Sequence, residues 1–75
     1  MMTDAKIRLY VDHPLAGGQS VPLDADQALY LFSVMRLQRG DAVLLFNGRD
    51  GEWRAEVAEA TKRRGVLICH SQTRP

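Results

Sequence analysis

The sequence predicts a small, mainly β domain with one helix, whose strands curl into a compact, partly open barrel. Several segments of strand length follow one another at close spacing, and only one segment carries a helix signal. The chain has 75 residues, which is enough for one domain with a small core. A short sheet of this kind gains from curling because closure removes exposed strand edges.

Two short strands are predicted before the helix. Ile7–Val11 alternates apolar and polar residues, which is typical of a strand with one buried face. Gln19–Leu23 is the second strand, and Pro22 is expected to end it because proline cannot donate to a ladder.

The helix signal begins at Asp24, which is followed three residues later by Gln27, as in a capping box. An apolar stripe at helical spacing then runs to about Arg36. Its members are Ala28, Leu31, Phe32 and Met35. Leu29 and Val34 widen the stripe, so we expect a helix that is largely packed against the rest of the domain.

Two strands joined by a hairpin are predicted after the helix. Ala42–Phe46 is a continuous apolar run, so burial on both faces is expected. Asn47–Gly51 is typical of a hairpin turn because Asn and Gly tolerate positive φ. Glu52–Ala60 is the returning strand, with alternate residues on one face. Those residues are Trp53, Ala55 and Val57.

A basic turn, a final strand and a polar tail complete the prediction. The turn is Lys62–Gly65 and the strand is Val66–Cys69. Ser71–Pro75 is polar and rich in turn formers, so it is predicted to begin a linker.

Composition narrows the class of protein. Ten Lys and Arg residues face nine Asp and Glu residues, for a net charge of +1. No apolar run approaches the roughly 20 residues of a membrane span, so no membrane partner is expected. The one cysteine, Cys69, excludes an internal disulfide framework and favours a reducing, cytoplasmic location.

No motif predicts catalysis or cofactor binding within these residues. The soft metal ligands are His13, Cys69 and His70, and their spacing matches no zinc motif. Ser33 lies in the predicted helix without a histidine nearby in sequence, so it lacks a base. The glycine-containing turns match no phosphate-binding motif. We therefore expect no catalytic residue, no cofactor site and no metal site here.

Arginine carries most of the positive charge, at eight of the ten basic residues. Guanidinium groups bind phosphate through paired hydrogen bonds and stack on bases, which suits RNA. Each arginine also has a simpler explanation, since loop charges are usually solvated and cations stabilise a helix C-terminus by about 0.3–1 kcal/mol. Four of the arginines together predict a surface that binds the RNA backbone. They are Arg8 on the first strand, Arg36 and Arg39 beside the helix end, and Arg49 at the hairpin tip.

Two consecutive segments carry a family resemblance. Val34–Asp41 followed by Val43–Gly48 closely resembles the "VLRL..GD.v.lF.G" block of the RsmE family, bacterial methyltransferases that act on 16S ribosomal RNA. Arg8–Val11 resembles that family's first strand, and Asn47–Trp53 resembles its hairpin. The resemblance covers nearly the whole chain in the same order and spacing, although no block is a catalytic signature.

The resemblance implies a division into two domains. Residues 1–70 would be an N-terminal PUA-like RNA-binding β-barrel, and residues 71–75 would begin the linker to a SPOUT domain. That second domain would hold S-adenosylmethionine in a knotted site, form the homodimer and methylate N3 of one uridine. The implied partner is 16S rRNA or the small ribosomal subunit, and the implied cofactor lies outside this segment.

One segment departs from the family pattern. Relatives often carry one or two histidines just ahead of the V-L-R triplet, sometimes with a basic residue between. Leu29, Tyr30, Phe32 and Ser33 stand there instead. Tyr30 is the candidate replacement for an RNA contact, and Tyr10 is a second candidate for base stacking, whereas Phe32 and Trp53 are expected in the core.

Two other functions remain compatible with the residues. A small protein-interaction barrel fits the mixed charges and the near-zero net charge. A generic nucleic-acid-binding barrel of the OB or SH3-like kind fits the strand pattern.

Overall fold

The domain is built on one five-stranded sheet. The computed structural model describes residue 5 and residues 7–61 and 64–75. The strands lie in the order β1-β3-β4-β5-β2. Their bounds are β1 Arg8–Tyr10, β2 Ser20–Leu23, β3 Ala42–Phe46, β4 Glu52–Ala60 and β5 Gly65–Arg74. β1 pairs with β3 in parallel, and every other pairing is antiparallel. The predicted fold class, mainly β with one helix, is confirmed.

The short helix lies near the outer edge of β1. α1 spans Ala25–Ala28 and continues without a break as a π-helix over Leu29–Val34. The Gln27 side-chain amide donates to the carbonyl of Tyr10 at 3.4 Å, which ties α1 to the end of β1. The strand order ends at β1 and β2, so the sheet is an open barrel whose first edge is partly covered by the helix.

The core lies on the inner face of the curled sheet. Its fully buried members alternate along the strands, as the period-2 pattern predicts. They are Val11, Leu15, Val21, Leu23, Leu31, Val43, Leu45, Ala55, Val57, Leu67 and Cys69. Phe32 and Trp53 are half-buried against this cluster, which confirms that both serve the core. The outer-face residues Leu44 and Phe46 are only half-buried, so the expected burial of β3 on both faces is wrong for its outer face.

The helix is correctly placed by its capping box but differs in its packing. Asp24 accepts from the Gln27 amide at 2.7 Å, and the Gln27 side chain accepts from the Asp24 amide at 3.0 Å. Leu29 and Val34 are 53% and 63% exposed, so the predicted wide apolar contact is wrong. The reason is the hydrogen-bond spacing. In a π-helix each amide reaches back five residues, so residues five apart share a face, and Leu29 and Val34 both lie on the outer one.

Two strand boundaries also differ from the predicted ones. β2 continues through Pro22 because it is an edge strand, paired among the described strands with β5 alone. β5 does not end at Cys69 but runs to Arg74, which pairs with Glu52. The polar tail is therefore strand up to Arg74, because its residues pair with the first residues of β4. Lys62 and Arg63 of the predicted basic turn lie outside the described residues.

Candidate nucleic-acid interface

Arg8 projects from the outer face of β1, as its position in the strand predicts. Its side chain is 57% exposed. The guanidinium lies over the ring of Phe46, with Cζ 4.8 Å from the ring centroid. Its Nε donates to the carboxylate of Glu52 at 2.7 Å. The sequence predicted the exposure of Arg8 but not the two contacts that hold its side chain in one orientation.

Glu52 is the acidic centre of this end of the sheet. Glu52 is buried, and one of its carboxylate oxygens accepts from the Thr73 hydroxyl at 2.8 Å. Arg74 approaches the same oxygen, with Nε at 3.8 Å. The Thr73 hydroxyl and the Arg8 guanidinium hold the pKa of the Glu52 carboxyl below its usual value. Glu52 therefore stays ionised at neutral pH, holds Arg8 by a hydrogen bond and attracts Arg74 from 3.8 Å.

The hairpin between β3 and β4 is a hydrogen-bonded loop that presents Arg49. The Asn47 side-chain oxygen accepts from the amides of Arg49 and Asp50 at 3.0 and 2.8 Å. The Asp50 carboxylate accepts from the Asn47 amide group at 2.8 Å and from the Leu15 amide at 3.0 Å. These contacts lower the pKa of Asp50. Arg49 is exposed at the tip of a loop whose backbone has little freedom.

Arg36 occupies a backbone conformation that suits glycine. Its φ is 59°, in the left-handed region, at the residue just beyond the π-helix and its cap. The amide of Leu37 donates to the carbonyl of Leu31 at 2.9 Å, which closes the helix end. A left-handed conformation costs an L residue about 1–2 kcal/mol. An arginine held there and exposed to solvent is a candidate functional residue.

Arg39 lies in the next turn, which is anchored to the sheet. The Gln38 amide donates to the Asp41 carboxylate at 2.8 Å, and the Gly40 amide donates to the carbonyl of Val57 at 2.8 Å. Arg39 lines an open groove of about 720 Å³ between the π-helix and the end of β4. Glu59 lies on the opposite wall of that groove.

Three of the four predicted arginines line two separate grooves, and Arg36 lines neither. Arg8 and Arg49 line one groove of about 330 Å³ at the hairpin end, whereas Arg39 lines the other. Sequence reasoning missed Arg74, which lines the first groove, because it treated the tail as a linker.

The arginines also differ in whether a carboxylate forms an ion pair with them. Arg8, Arg54 and Arg74 have carboxylate partners at Glu52 or Glu56. Across residues 7–61 and 64–75, no carboxylate pairs with the guanidinium of Arg36, Arg39 or Arg49. These three guanidinium groups are therefore not held by a carboxylate, and the charge of Arg49 alone is partly offset by the neighbouring Asp50.

The remaining candidate groups are not assembled into a site. No three His, Cys, Asp or Glu side chains gather closely enough for a metal ion in the part of the chain that the structure describes. Cys69 is buried, and burial raises the pKa of its thiol. His70 lies 3.5 Å from Glu56 on the outer face. None of the described helices is both long and apolar enough to cross a bilayer.

The family model described as "RNA methyltransferase PUA domain" matches residues 23–68. This chain belongs to that family. The matched range includes Arg36, Arg39 and Arg49 and begins after Arg8. The resemblance found in the sequence and the PUA-like fold are both confirmed.

Individual proteins agree with the family assignment. The chain is 36% identical over 56 residues to ribosomal RNA small subunit methyltransferase E of Rickettsia conorii, which covers 73% of this chain and 23% of that protein. It superposes with a TM-score of 0.80 and 25% identity on a Legionella pneumophila protein described as a methyltransferase and solved with bound SAM. It also superposes with a TM-score of 0.75 and 25% identity on ribosomal RNA small subunit methyltransferase E of Neisseria gonorrhoeae, solved with S-adenosyl methionine.

These relatives are much longer than the chain. The two superpositions cover 92% and 89% of this chain but 28% of each structure. The chain therefore spans about a quarter of the length of the proteins that it matches.

Proposed function

We propose that this domain holds small-subunit ribosomal RNA for methylation by a following domain that uses S-adenosylmethionine. The family assignment and the similarity to ribosomal RNA small subunit methyltransferase E support an RNA substrate and a methyl-transfer reaction. The SAM-bound structural neighbours support the cofactor. The reaction would be N3 methylation of one uridine of 16S rRNA, within a cytoplasmic enzyme.

The observation that carries the proposal is the set of arginines without acidic partners. Arg36, Arg39 and Arg49 are exposed on turns whose backbones are fixed by hydrogen bonds. Positive charges at fixed positions neutralise phosphates and set the register of an RNA without reading its sequence. Arg8 contributes from the sheet edge, where its charge is partly offset by Glu52.

A division of labour follows from this arrangement. The domain binds and orients the RNA, and we place the cofactor site and the reacting groups in a domain beyond Pro75. We further propose that this second domain forms a homodimer, with the connecting linker starting where β5 ends. S-adenosylmethionine would supply the methyl group there, and the arginines of this chain would act only on the position of the RNA.

The experiment compares steady-state constants of the enzyme that carries this domain, with small ribosomal subunits as substrate. Replacing Arg36 and Arg49 together by alanine should raise KM for the RNA about tenfold or more, because two phosphate contacts are lost. The affinity for S-adenosylmethionine, measured by calorimetry, should be unchanged. Arg54→Ala is the matched control because Arg54 is paired with Glu56. An unchanged KM in the double variant would contradict the proposal.

A further inference from the structure

A shallow, open groove beside the hairpin is lined by three arginines and an aromatic ring. It measures about 330 Å³ and is open to solvent on one side. Its lining includes Arg8, Phe46, Arg49 and Arg74. The one acidic side chain in its lining, Glu52, is already engaged by Arg8 and Thr73.

The wall of this groove is a layered stack. The edge-on ring of Tyr10 supports Phe46, with centroids 5.7 Å apart and planes at 70°. Phe46 in turn lies under the guanidinium of Arg8. Arg8 donates to Glu52 through Nε, which fixes the plane of the guanidinium. The Arg8 side chain is also more than half exposed, so a further flat group can reach the guanidinium.

Arg49 and Arg74, which also line the groove, add positive charge beyond the stack. Arg49 is exposed and without a carboxylate partner among the described residues, and the Arg74 side chain is 77% exposed. A ligand that meets the groove therefore finds a flat cationic platform and, next to it, two guanidinium groups. A planar ring joined to a phosphate matches both parts.

We infer that this groove binds one unpaired nucleotide of the RNA, with its base stacked on the Arg8 guanidinium and its phosphate at Arg49 and Arg74. The inference rests on the proposed function and deepens it, since it distinguishes a single-stranded element from a purely paired helix. Bases stack readily on arginine planes and aromatic rings when they are not held in a duplex.

The test compares two probes on the full chain at low salt. One is a pentamer of uridylate, and the other is a pentamer of the same ribose phosphate backbone without bases. Both probes carry the same charge, so a difference in Kd measures the bases. The uridylate should bind at least about fivefold more tightly, and its binding should shift the amide resonances of Gly48 and Gly51, which line the groove.

Two variants locate the effect. Arg8→Lys keeps the charge but loses the planar group, and Phe46→Leu removes the ring beneath it. Each should abolish the preference for uridylate. Phe46→Leu, which leaves every charge in place, should keep the affinity for the abasic probe within about twofold. Arg54→Lys, on the same face of the sheet, is the matched control and should keep the preference. Thermal unfolding of each variant verifies that it is folded.

The outcomes separate the inference from the proposed function. Equal affinity for the two probes would overturn the nucleotide site and leave RNA docking intact. A preference that persists in both Arg8→Lys and Phe46→Leu would also overturn it, because the bases would then stack elsewhere. Binding of neither probe, nor of a ribosomal RNA hairpin, would overturn both.

Discussion

The hairpin end of the sheet and the end of the π-helix hold their arginines in opposite ways. At the hairpin end, Arg8 is held by the buried carboxylate of Glu52, and Arg74 lies within 3.8 Å of it. Beyond the π-helix, Arg36 is exposed on a left-handed residue and has no carboxylate partner among the described residues. The first arrangement orients guanidinium groups at the cost of part of their charge. The second keeps the full charge and places it through the backbone.

The largest expected effect concerns the hairpin end, where Gly51 has φ of 82°. A Cβ there would run into the backbone carbonyl of Arg74. Gly51→Ala should therefore lower the free energy of unfolding by about 2–5 kcal/mol, combining the left-handed cost with overpacking. Urea denaturation measures this change.

Gly48→Ala provides the matched control for that prediction. Gly48 has the same φ of 82°, but a Cβ would meet open space. Only the conformational cost of about 1–2 kcal/mol should appear. Equal losses in the two variants would show that β5 does not pack against the hairpin as described.

The second prediction concerns the acid stability that Glu52 and Asp50 confer. Both carboxyls have lowered pKa values in the folded protein. Below about pH 4 the unfolded chain therefore takes up protons before the folded domain does, and stability falls. Above about pH 5 these two groups contribute no pH dependence.

Removing the two carboxyls should make the free energy of unfolding depend less on pH in this acid range. Asp50→Asn combined with Glu52→Gln should be less stable at pH 7 and lose less stability between pH 5 and pH 2. Glu56→Gln controls for the loss of a surface charge. If the double variant lost as much stability between pH 5 and pH 2 as the original protein, the hydrogen bonds assigned to these carboxylates would be contradicted.

The third prediction separates stability from binding at the helix end. Arg36→Gly removes the left-handed cost but adds chain entropy to the unfolded state, so stability should be unchanged or up to about 1 kcal/mol higher. RNA affinity should nevertheless fall. A clear loss of stability, measured by thermal unfolding, would count against the left-handed backbone of Arg36.

The smallest expected effect is at Val34, on the exposed face of the π-helix. Val34→Thr should change the free energy of unfolding by less than about 0.5 kcal/mol. The same replacement at Val43, which is fully buried, should cost about 1–3 kcal/mol because it buries a hydroxyl. Comparable losses at the two positions would mean that the outer face of the π-helix is packed.

The two regions also differ in how well the sequence predicts them. The strands follow from an alternation that one buried face imposes, so Glu52–Ala60 was placed correctly to the residue. The capping box located the helix start for the same kind of local reason. The π-helix was missed because an apolar stripe is interpreted with the α-helical period, under which Leu29 and Val34 were assigned to the packed side.

Tertiary contacts explain the rest of what the sequence did not show. β5 extends to Arg74 because Arg74 pairs with Glu52 of β4 and the Thr73 hydroxyl donates to the Glu52 carboxylate, and no property of the tail alone records this. The pairing of Arg8 with Glu52 joins residues 44 positions apart. The sequence predicted which arginines face solvent, but the structure was needed to separate the paired ones from those left free.

The most direct test of the RNA-docking account is the salt dependence of binding to a small-subunit rRNA hairpin. Each lost phosphate contact should lower the slope of log K against log salt by about 0.7–0.9. Replacing Arg36, Arg39 and Arg49 together by alanine should thus reduce the magnitude of the slope by about 2–3, whereas Arg54→Ala should leave it nearly unchanged. A slope that stays the same in the triple variant would contradict the account.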